Sequence, residues 1–448
     1  MKRLLVTSLL CLVAAACAPQ KPAPKRTPLP PAPPMVTDAP EVERKGDIPP
    51  QAPRIKVALL LPLSGESASV GNAMFDAATL ALHDTYMRAP SSAIRTQVVL
   101  LPKDTGNTPA EATRAARTAI EQGANFIVGP LFSQTVGHIE PVARERGVPM
   151  LTFSNNKAIA KPSVFTFGFL PEQQILRMAE YAYLQKYTRI AVLAPNDAYG
   201  EKVKDLLTDT YAQKGGMVSP GELYASSPAN IDAAVSRLAS AYNSVPEERR
   251  FQAIFIADGG YQPKNIIKSL KKTSIDLSKI KLLGTGQWDD PEIQKIPELQ
   301  GAWFTSASHE PYRIFENRFQ TTYGYKPVRL ASLAYDALTL IAELGMQSPG
   351  SDINLAALTD PRGYIGPANG LFRLRPDGTS ERKLAVMEIQ DARFVILDPS
   401  ERAFTDKETP LMRQAPAAPP VLGAESPAAA KAAPAPQETP ASAAQSPR

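Results

Sequence analysis

Short polar loops follow the predicted strands of the chain, and their side chains are suited to holding a small zwitterion. Hydroxyl groups donate hydrogen bonds to carboxylates, and free N–H groups at helix amino termini attract anions. Because the carboxyl ends of parallel strands meet at one sheet edge, we expect loops from both halves of the chain to face a cleft. The alternative is that these residues only cap helices and turn the chain. The cleft candidates are Ser64, Gly65, Asp104, Ser133, Ser154, Tyr199, Asp258 and Trp288.

The sequence contains no recognisable catalytic or metal-binding pattern. Ser154 and Lys157 match the Ser-x-x-Lys spacing of β-lactamases and penicillin-binding proteins, but here the motif follows a strand, where that chemistry needs a helical turn. The three histidines, His83, His138 and His309, are far apart and have no ligand spacing. Walker A and Gly-x-Gly-x-x-Gly motifs are also missing. We therefore expect no enzyme, no catalytic residue, no cofactor and no metal site.

The amino terminus has the three regions of a secretory signal peptide in residues 1–16. Two basic residues precede an apolar segment, and small residues lead to Cys17. This arrangement resembles a bacterial lipobox, although Ala14 stands where leucine is commoner. The resemblance implies a diacylglyceryl group on the sulfur of Cys17 and an acyl chain on its amino group; plain export is the alternative. Ala18 after the cysteine usually implies the outer membrane.

Cysteine content and charge restrict the classes of function. Cys11 would leave with the signal peptide and Cys17 would carry lipid, so the mature domain has no thiol for a disulfide, a metal or a nucleophile. The formal net charge of +5 is spread along the chain without a block of lysine and arginine. Nucleic acid is therefore not an expected partner.

Two stretches of the chain cannot bury a core. Residues 17–53 contain twelve prolines and predict an extended tether, which at about 3.1 Å per residue reaches on the order of 100 Å. Residues 413–448 form a tail of alanine, proline, serine and glutamine, which predicts disorder.

Between these stretches, residues 54–412 alternate apolar strands with amphipathic helices. The apolar run Val57 to Leu61 ends at Pro62, and a helical pattern follows through Asp84. Repeated strand–helix alternation predicts an α/β fold with a doubly wound, mostly parallel sheet. The alternation restarts near residues 165–171, so we expect two lobes.

The order of four segments resembles the type I periplasmic-binding fold of Leu/Ile/Val-binding proteins. The segments are VALLLPLSG at 57–65, IVGPLFSQT at 127–135, PMLTFSN at 149–155 and NDAYG at 196–200. The resemblance implies that crossing hinge strands join lobe 1, about 54–165 and 307–345, to lobe 2, about 166–306 and 346–400. Carried over by position, the residues facing the cleft would be Ser64, Ser133, Ser154, Tyr199 and Asp258.

Longer segments in the second half are similar to penicillin-binding-protein activators, lipoproteins of this fold that stimulate peptidoglycan synthases. These segments are GTGQWDDPEI at 284–293, GAWFTSA at 301–307, LAYDAL at 333–338 and GLFRLRPDGTSERKLAVMEI at 370–389. The resemblance implies a periplasmic lipoprotein, anchored in the outer membrane, that binds and activates a penicillin-binding protein. The alternative is a solute-binding receptor of an ABC transporter for amino acids or small peptides.

Overall fold

The computed structural model describes residues 53–404, apart from 91–93, 95, 308, 349 and 351. The predicted signal peptide, the lipidated Cys17, the tether through residue 52 and the predicted tail all lie outside the described residues. Among the residues that are described, no helix combines the length and apolar character needed to cross a bilayer.

The first lobe is built on a sheet of five parallel strands. The strands are β1 (Arg54–Leu61), β2 (Gln97–Asp104), β3 (Phe126–Val128), β4 (Met150–Thr152) and β5 (Val164–Thr166), in the order β2-β1-β3-β4-β5. The helices that connect the first four strands are α1 (Ala68–Arg88), α2 (Pro109–Glu121) and α3 (Ser133–Glu145).

Both faces of this sheet are covered, which explains the unbroken apolar run of β1. Val57, Leu59 and Leu61 join the core on the face covered by α1, whereas Ala58 and Leu60 join the core on the face covered by α2 and α3. Successive side chains of a strand point to opposite faces, so a strand buried on both sides must be apolar at every position. The predicted doubly wound arrangement is confirmed for this lobe.

The second lobe repeats this construction with a larger sheet. Its parallel strands are β6 (Arg189–Pro195), β7 (Met217–Tyr224), β8 (Ala253–Ile256), β9 (Lys281–Gly284) and β10 (Trp303–Ser306). Its helices are α4 (Pro171–Leu184), α5 (Ala198–Gln213), α6 (Pro228–Asn243), α7 (Gln262–Leu270) and the short α8 (Pro291–Gln294). Separate cores fill its two faces, as in the first lobe.

After β10 the chain returns to complete the first lobe. The returning elements are α9 (His309–Tyr323), α10 (Ala331–Gln347), α11 (Leu355–Leu358) and the antiparallel strands β11 (Tyr364–Gly366), β12 (Gly370–Leu374) and β13 (Ser380–Arg382). Helix α10 packs along α1. The chain then crosses again, and β14 (Ala385–Gln390) and β15 (Arg393–Asp398) add two antiparallel strands to the second sheet. The described residues thus cross between the lobes three times.

The placement of β11–β13 corrects the predicted lobe boundaries. We expected residues 346–400 in the second lobe, but Leu358, Tyr364, Phe372 and Leu374 belong to the same apolar core as β1. The ring of Phe372 meets that of Phe167 edge-on, with 5.0 Å between centroids. Only β14 and β15 of this stretch join the second lobe, because their side chains pack on β10.

Helices α1 and α5 each have a glycine in the first turn that lies against the end of the preceding strand. A Cβ on Gly71 would lie 1.9 Å from the carbonyl oxygen of Pro62, and one on Gly200 would lie 1.8 Å from that of Pro195. These carbonyl oxygens belong to the backbone, so they cannot move away from an added Cβ as the end of a flexible side chain could. Glycine is therefore required for α1 and α5 to start so close to the carboxyl edge of their sheets.

We predict that Gly200→Ala lowers the free energy of unfolding by about 1–3 kcal/mol, because the added methyl overlaps a backbone carbonyl. Gly137→Ala in α3 is the matched control, since nothing lies within 4 Å of its added Cβ. Alanine favours a helix interior over glycine by about 0.5–1 kcal/mol, so the control should be neutral or stabilising. Urea unfolding of both variants measures the difference, and equal effects would contradict the steric explanation.

Candidate functional site

The carboxyl edges of the two sheets border a cleft of about 860 Å³. The loops after β3 and β4 form one wall, and α5 with the loop after β9 forms the other. This volume is within the range of about 300–1,000 Å³ that is usual for small-molecule sites. Aromatic and aliphatic groups share the wall with carboxamides and with charged side chains. The charged residues that line it, among those described, are Lys202, Asp289, Asp290, Arg329 and Arg382.

A buried ion pair joins the two lobes inside the cleft. Arg329 precedes α10 of the first lobe and Asp289 follows β9 of the second, with 3.1 Å between Nε and Oδ2. The same Oδ2 accepts a hydrogen bond of 2.6 Å from the hydroxyl of Ser306. Only 19% of the Arg329 side chain and 5% of the Asp289 side chain are exposed. Solvent therefore screens this pair much less than an ion pair on the surface.

First-lobe groups hold Arg329 in position for this contact. Its Nη1 donates hydrogen bonds to Oγ of Ser332 at 2.8 Å and to Oδ1 of Asn369 at 2.6 Å. The guanidinium also lies over the ring of Tyr312, 4.0 Å from its centroid. A planar, delocalised cation suits such a combination of stacking and forked hydrogen bonding, which lysine could not provide.

Behind Arg329 lies the fully buried carboxylate of Asp336, in the middle of α10. Its Oδ1 accepts a hydrogen bond from the backbone N–H of Ala368, and its Oδ2 accepts one from Nδ2 of Asn369, both at 2.8 Å. Burial raises the pKa of Asp336 to about 6, although the nearby Arg382 cation and these hydrogen bonds act against the rise. Asn369 thus links Asp336 to Arg329.

Arg382, at the end of β13, is the most deeply buried cation of the cleft, with 5% of the residue exposed. Its Nη2 donates a hydrogen bond of 3.0 Å to the carbonyl oxygen of Phe167. The guanidinium also packs over the rings of Phe167 and Phe372, at 4.5 and 5.1 Å from their centroids. Burial lowers the pKa of Arg382 to about 10 against the attraction of Asp336, so the group stays a cation at neutral pH. We refer to Asp289, Ser306, Arg329, Asp336, Asn369 and Arg382 as the cleft network.

Residues 54–393 match the family model described as "Periplasmic binding protein". The chain belongs to the periplasmic binding protein family. Its fold is similar to that of the leucine-binding protein LivK of Thermotoga maritima, with a TM-score of 0.56 and 22% identity over 76% of this chain and 97% of that one. A putative branched-chain amino acid ABC transporter protein of Rhodospirillum rubrum gives a TM-score of 0.67 and 18% identity, covering 77% of this chain and all of that one. The predicted fold class is confirmed, and the family indicates a periplasmic location.

Two curated relatives differ in how much of this periplasmic binding protein they match. An uncharacterized Rickettsia prowazekii protein, RP748, is 24% identical over 342 residues, which cover 74% of this chain and 86% of that protein. The penicillin-binding protein activator LpoA of Vibrio cholerae is 27% identical over 157 residues, 34% of this chain. The matched part spans 25% of the length of LpoA.

Of the eight predicted cleft residues, Tyr199 is the one found among the described residues that line the cavity. It follows β6 at the start of α5, and its hydroxyl accepts a hydrogen bond of 3.0 Å from Nε2 of Gln287. Burial raises its pKa, so the hydroxyl remains a neutral donor. Asp197 caps α5 by accepting a hydrogen bond from the N–H of Gly200.

The first-lobe candidates Ser64, Gly65 and Asp104 join two loops to each other. The carboxylate of Asp104 accepts hydrogen bonds of 2.9 Å from the backbone N–H groups of Leu63 and Gly106. Gly65 has a φ of +75°, and a Cβ there would lie 2.3 Å from the side chain of Asn107. These contacts show that the three residues hold the turns in place, which was the alternative to lining the cleft. Contact between any of them and a ligand remains a prediction.

Ser133 and Ser154 lie in the loops at the carboxyl edge of the first sheet. Ser133 is the first residue of α3, and Phe132 rather than Ser133 stands at the N-cap. Ser154 is buried, and its Oγ accepts a hydrogen bond of 3.1 Å from the N–H of Asn156. Its neighbours Asn155 and Asn156 reach the cavity. A ligand contact of either serine is thus still only predicted.

The second-lobe candidates Asp258 and Trp288 are hydrogen-bonded to each other. Trp288 has no exposed surface, and its indole N–H donates a hydrogen bond of 2.9 Å to the carbonyl oxygen of Asp258. The prediction that Trp288 lines the cleft is wrong, because its ring fills the second-lobe core beside Gly284. The carboxylate of Asp258 accepts a hydrogen bond of 2.7 Å from the hydroxyl of Tyr224. Contact between Asp258 and a ligand remains a prediction.

Sequence reasoning missed the charged residues of the cleft network. One signal was present: Asp336 lies among the largely apolar residues of α10, and a charge at such a position needs a buried partner. Arg382 gave no such signal, because the polar hairpin around it reads as a solvated turn. The described residues contain no group of three or more histidine, cysteine or acidic side chains placed to hold a metal ion.

We predict that Asp289→Asn lowers the free energy of unfolding by about 2–4 kcal/mol, because it leaves the Arg329 cation without its counter-ion in a largely buried site. Small-angle X-ray scattering should also show a larger radius of gyration, since this pair ties the lobes together. Glu310→Gln is the matched control: its partner Arg313 and Glu310 itself are mostly exposed, so the change should stay within about 0.5 kcal/mol. An unchanged radius of gyration would contradict the conclusion that this ion pair holds the two lobes together.

Asp336 should make the protein more stable as the pH falls from 7 to 4. Its folded-state pKa of about 6 lies above the ordinary value of 3.8, so in this range the folded protein holds a proton that the unfolded chain releases. The gain should be about 2–3 kcal/mol and should be missing in Asp336→Asn. Urea unfolding of both proteins at pH 7, 6, 5 and 4 measures it, and parallel pH profiles would refute the assignment.

Proposed function

We propose that this periplasmic binding protein is a lipoprotein that binds a penicillin-binding protein and activates peptidoglycan synthesis. The observation that carries the proposal is where the activator-like segments meet. Each of the four segments that resemble such activators contributes one residue to the cleft network: Asp289 from 284–293, Ser306 from 301–307, Asp336 from 333–338 and Arg382 from 370–389. Asp289 and Ser306 belong to the contact between the lobes, and Asp336 and Arg382 lie on the first-lobe side of the same network.

A fixed arrangement of lobes suits a protein that works by docking. An activator favours the active state of its partner only through contacts that differ between the partner's states, and a rigid surface makes those contacts without first paying an ordering cost. The ion pair between Arg329 and Asp289 supplies that rigidity from the chain's own residues. The 27% identity to LpoA over 157 residues supports the same partner class.

Lipidation at Cys17 and the Pro-rich tether complete the proposal. An acylated amino terminus in the outer membrane would hold the domain at a distance, and residues 17–53 would give it the reach to meet a synthase on the inner membrane. In this proposal, the length of the tether is what allows the domain to reach across the periplasm.

The test measures glycan-chain polymerisation by each purified penicillin-binding protein of the same bacterium, with and without the mature chain. We expect binding to at least one synthase and a severalfold faster polymerisation. Asp289→Asn should weaken the effect because its lobes are no longer tied, whereas Glu310→Gln should act like the natural protein. The proposal is wrong if no synthase binds the chain, or if binding leaves every polymerisation rate unchanged.

A second candidate is a solute-binding receptor of an ABC transporter for amino acids or small peptides. The volume of the cleft favours it, because a pure docking module has no need for a cavity of about 860 Å³. Uptake of labelled amino acids and dipeptides by cells with and without the gene separates the two. Reduced uptake on deletion supports the receptor, and normal uptake with altered wall synthesis supports the activator.

A further inference from the structure

Arg382 carries donors that the protein itself does not use. Its Nε and Nη1 are buried and have no hydrogen-bond partner among the described residues, while Nη2 donates to Phe167. The other two cations of the cleft wall are paired: Lys202 with Glu172 at 2.9 Å, and Arg329 with Asp289. Arg382 is thus the cation of this wall that lacks a hydrogen-bonded counter-ion.

Burying unpaired donors of a cation is unfavourable, so a partner that supplies acceptors would be bound strongly. Asp336 lowers the electrostatic penalty but accepts no hydrogen bond from Arg382; its two oxygens accept from Ala368 and Asn369. The stacked rings of Phe167 and Phe372 hold the guanidinium in place without offering an acceptor in its plane. The guanidinium of Arg382 therefore lacks a hydrogen-bonded anion. Arg382 lines the cavity, so an anion could reach it from there.

We propose that the cleft binds a ligand of short-peptide size whose carboxylate is neutralised by Arg382. The inference does not depend on whether the protein activates a synthase. A free carboxylate carries one negative charge and presents acceptors in a plane that matches a guanidinium. A phosphate dianion fits less well, because Asp289 and Asp290 line the same cavity and the Asp336 carboxylate lies near Arg382.

The remaining wall fits a peptide body. The carboxamides of Asn155 and Asn156 extend from the first lobe and that of Gln287 from the second, and each can both donate to and accept from a peptide bond. Phe132, with 46% of its surface exposed at the lip of the first lobe, offers an apolar face to a side chain. A cavity of about 860 Å³ also has more room than a single amino acid fills.

Entry of the ligand requires the lobes to part. Nε and Nη1 of Arg382 are shielded from water in the present arrangement, and the Arg329–Asp289 pair joins the lobes at the same cavity. Opening breaks that pair, and closing re-forms it around the bound peptide. The ligand then sits between the lobes with its carboxylate toward the segment that crosses from β13 to β14.

The test is calorimetry of the mature protein with Ala-Ala-Ala, Leu-Ala-Ala and Ala-Ala-Phe, each compared with its carboxyl-terminal amide. We expect at least one free acid to bind at least tenfold more tightly than its amide. Arg382→Gln should weaken binding of that acid at least tenfold and remove the preference over the amide. The matched control is Arg373→Gln on the neighbouring β12, whose guanidinium is paired with Glu381 and does not line the cavity.

Circular dichroism and urea unfolding show whether Arg382→Gln is folded. If it is not, the comparison of acid with amide on the natural protein decides the charge requirement, and Asn155→Ala, at an exposed position, reports on the peptide body. That variant should bind severalfold more weakly and keep the preference for the acid. Equal binding of acid and amide, no binding of any peptide, or full affinity in a folded Arg382→Gln protein would each overturn the proposal. These readouts are separate from synthase activation.

Discussion

The ion pair between Arg329 and Asp289 joins the two lobes inside the cleft and helps to set their relative placement. Taking two charges out of water is expensive, and their attraction offsets that expense only if both are held in good geometry and hydrogen-bonded. Here Ser306 bonds to the carboxylate, and Ser332, Asn369 and the ring of Tyr312 surround the guanidinium. Since the partners come from different lobes, this pair favours one orientation over others that apolar contacts alone would not distinguish.

The route of the chain explains how such a pair can form. The first lobe is unfinished until α9, α10 and the strands β11–β13 return to it, and the returning helix α10 lies against α1 with almost every side chain buried. Arg329 and Asp336 arrive on this helix or just before it, and Asn369 and Arg382 arrive on the strands that follow. The first-lobe residues of the cleft network therefore come from segments that follow the second lobe in sequence, whereas Asp289 and Ser306 come from the second lobe itself.

Much of the fold was predictable from local patterns, and the charged network was not. The apolar run of β1 and the strand–helix alternation are local signals, and they specified both doubly wound lobes. In the strands around Phe372, apolar and polar residues alternate, which shows that one face is buried. The pattern does not show which of the two lobes that face packs against. The prediction for Trp288 was wrong for the same reason. A tryptophan after a strand can line a cleft or fill a core, and only the structure shows that its indole N–H donates to the carbonyl oxygen of Asp258. Contacts between residues that lie tens to hundreds of positions apart in the sequence leave no signal in local spacing.

The two proposed roles make opposite demands on the cleft, and the charge distribution reconciles them. Docking needs one fixed arrangement of lobes, whereas a ligand needs access to Arg382. Two arrangements in equilibrium satisfy both if the closed one is favoured by Arg329–Asp289 and a carboxylate on Arg382 favours it further, because a ligand shifts an equilibrium only by its differential affinity. A bound peptide would also supply the acceptors that Arg382 lacks, so the closed state would gain partners for a poorly satisfied cation. By this logic the cleft ligand strengthens docking rather than competing with it, and the affinity for the synthase should rise with peptide concentration.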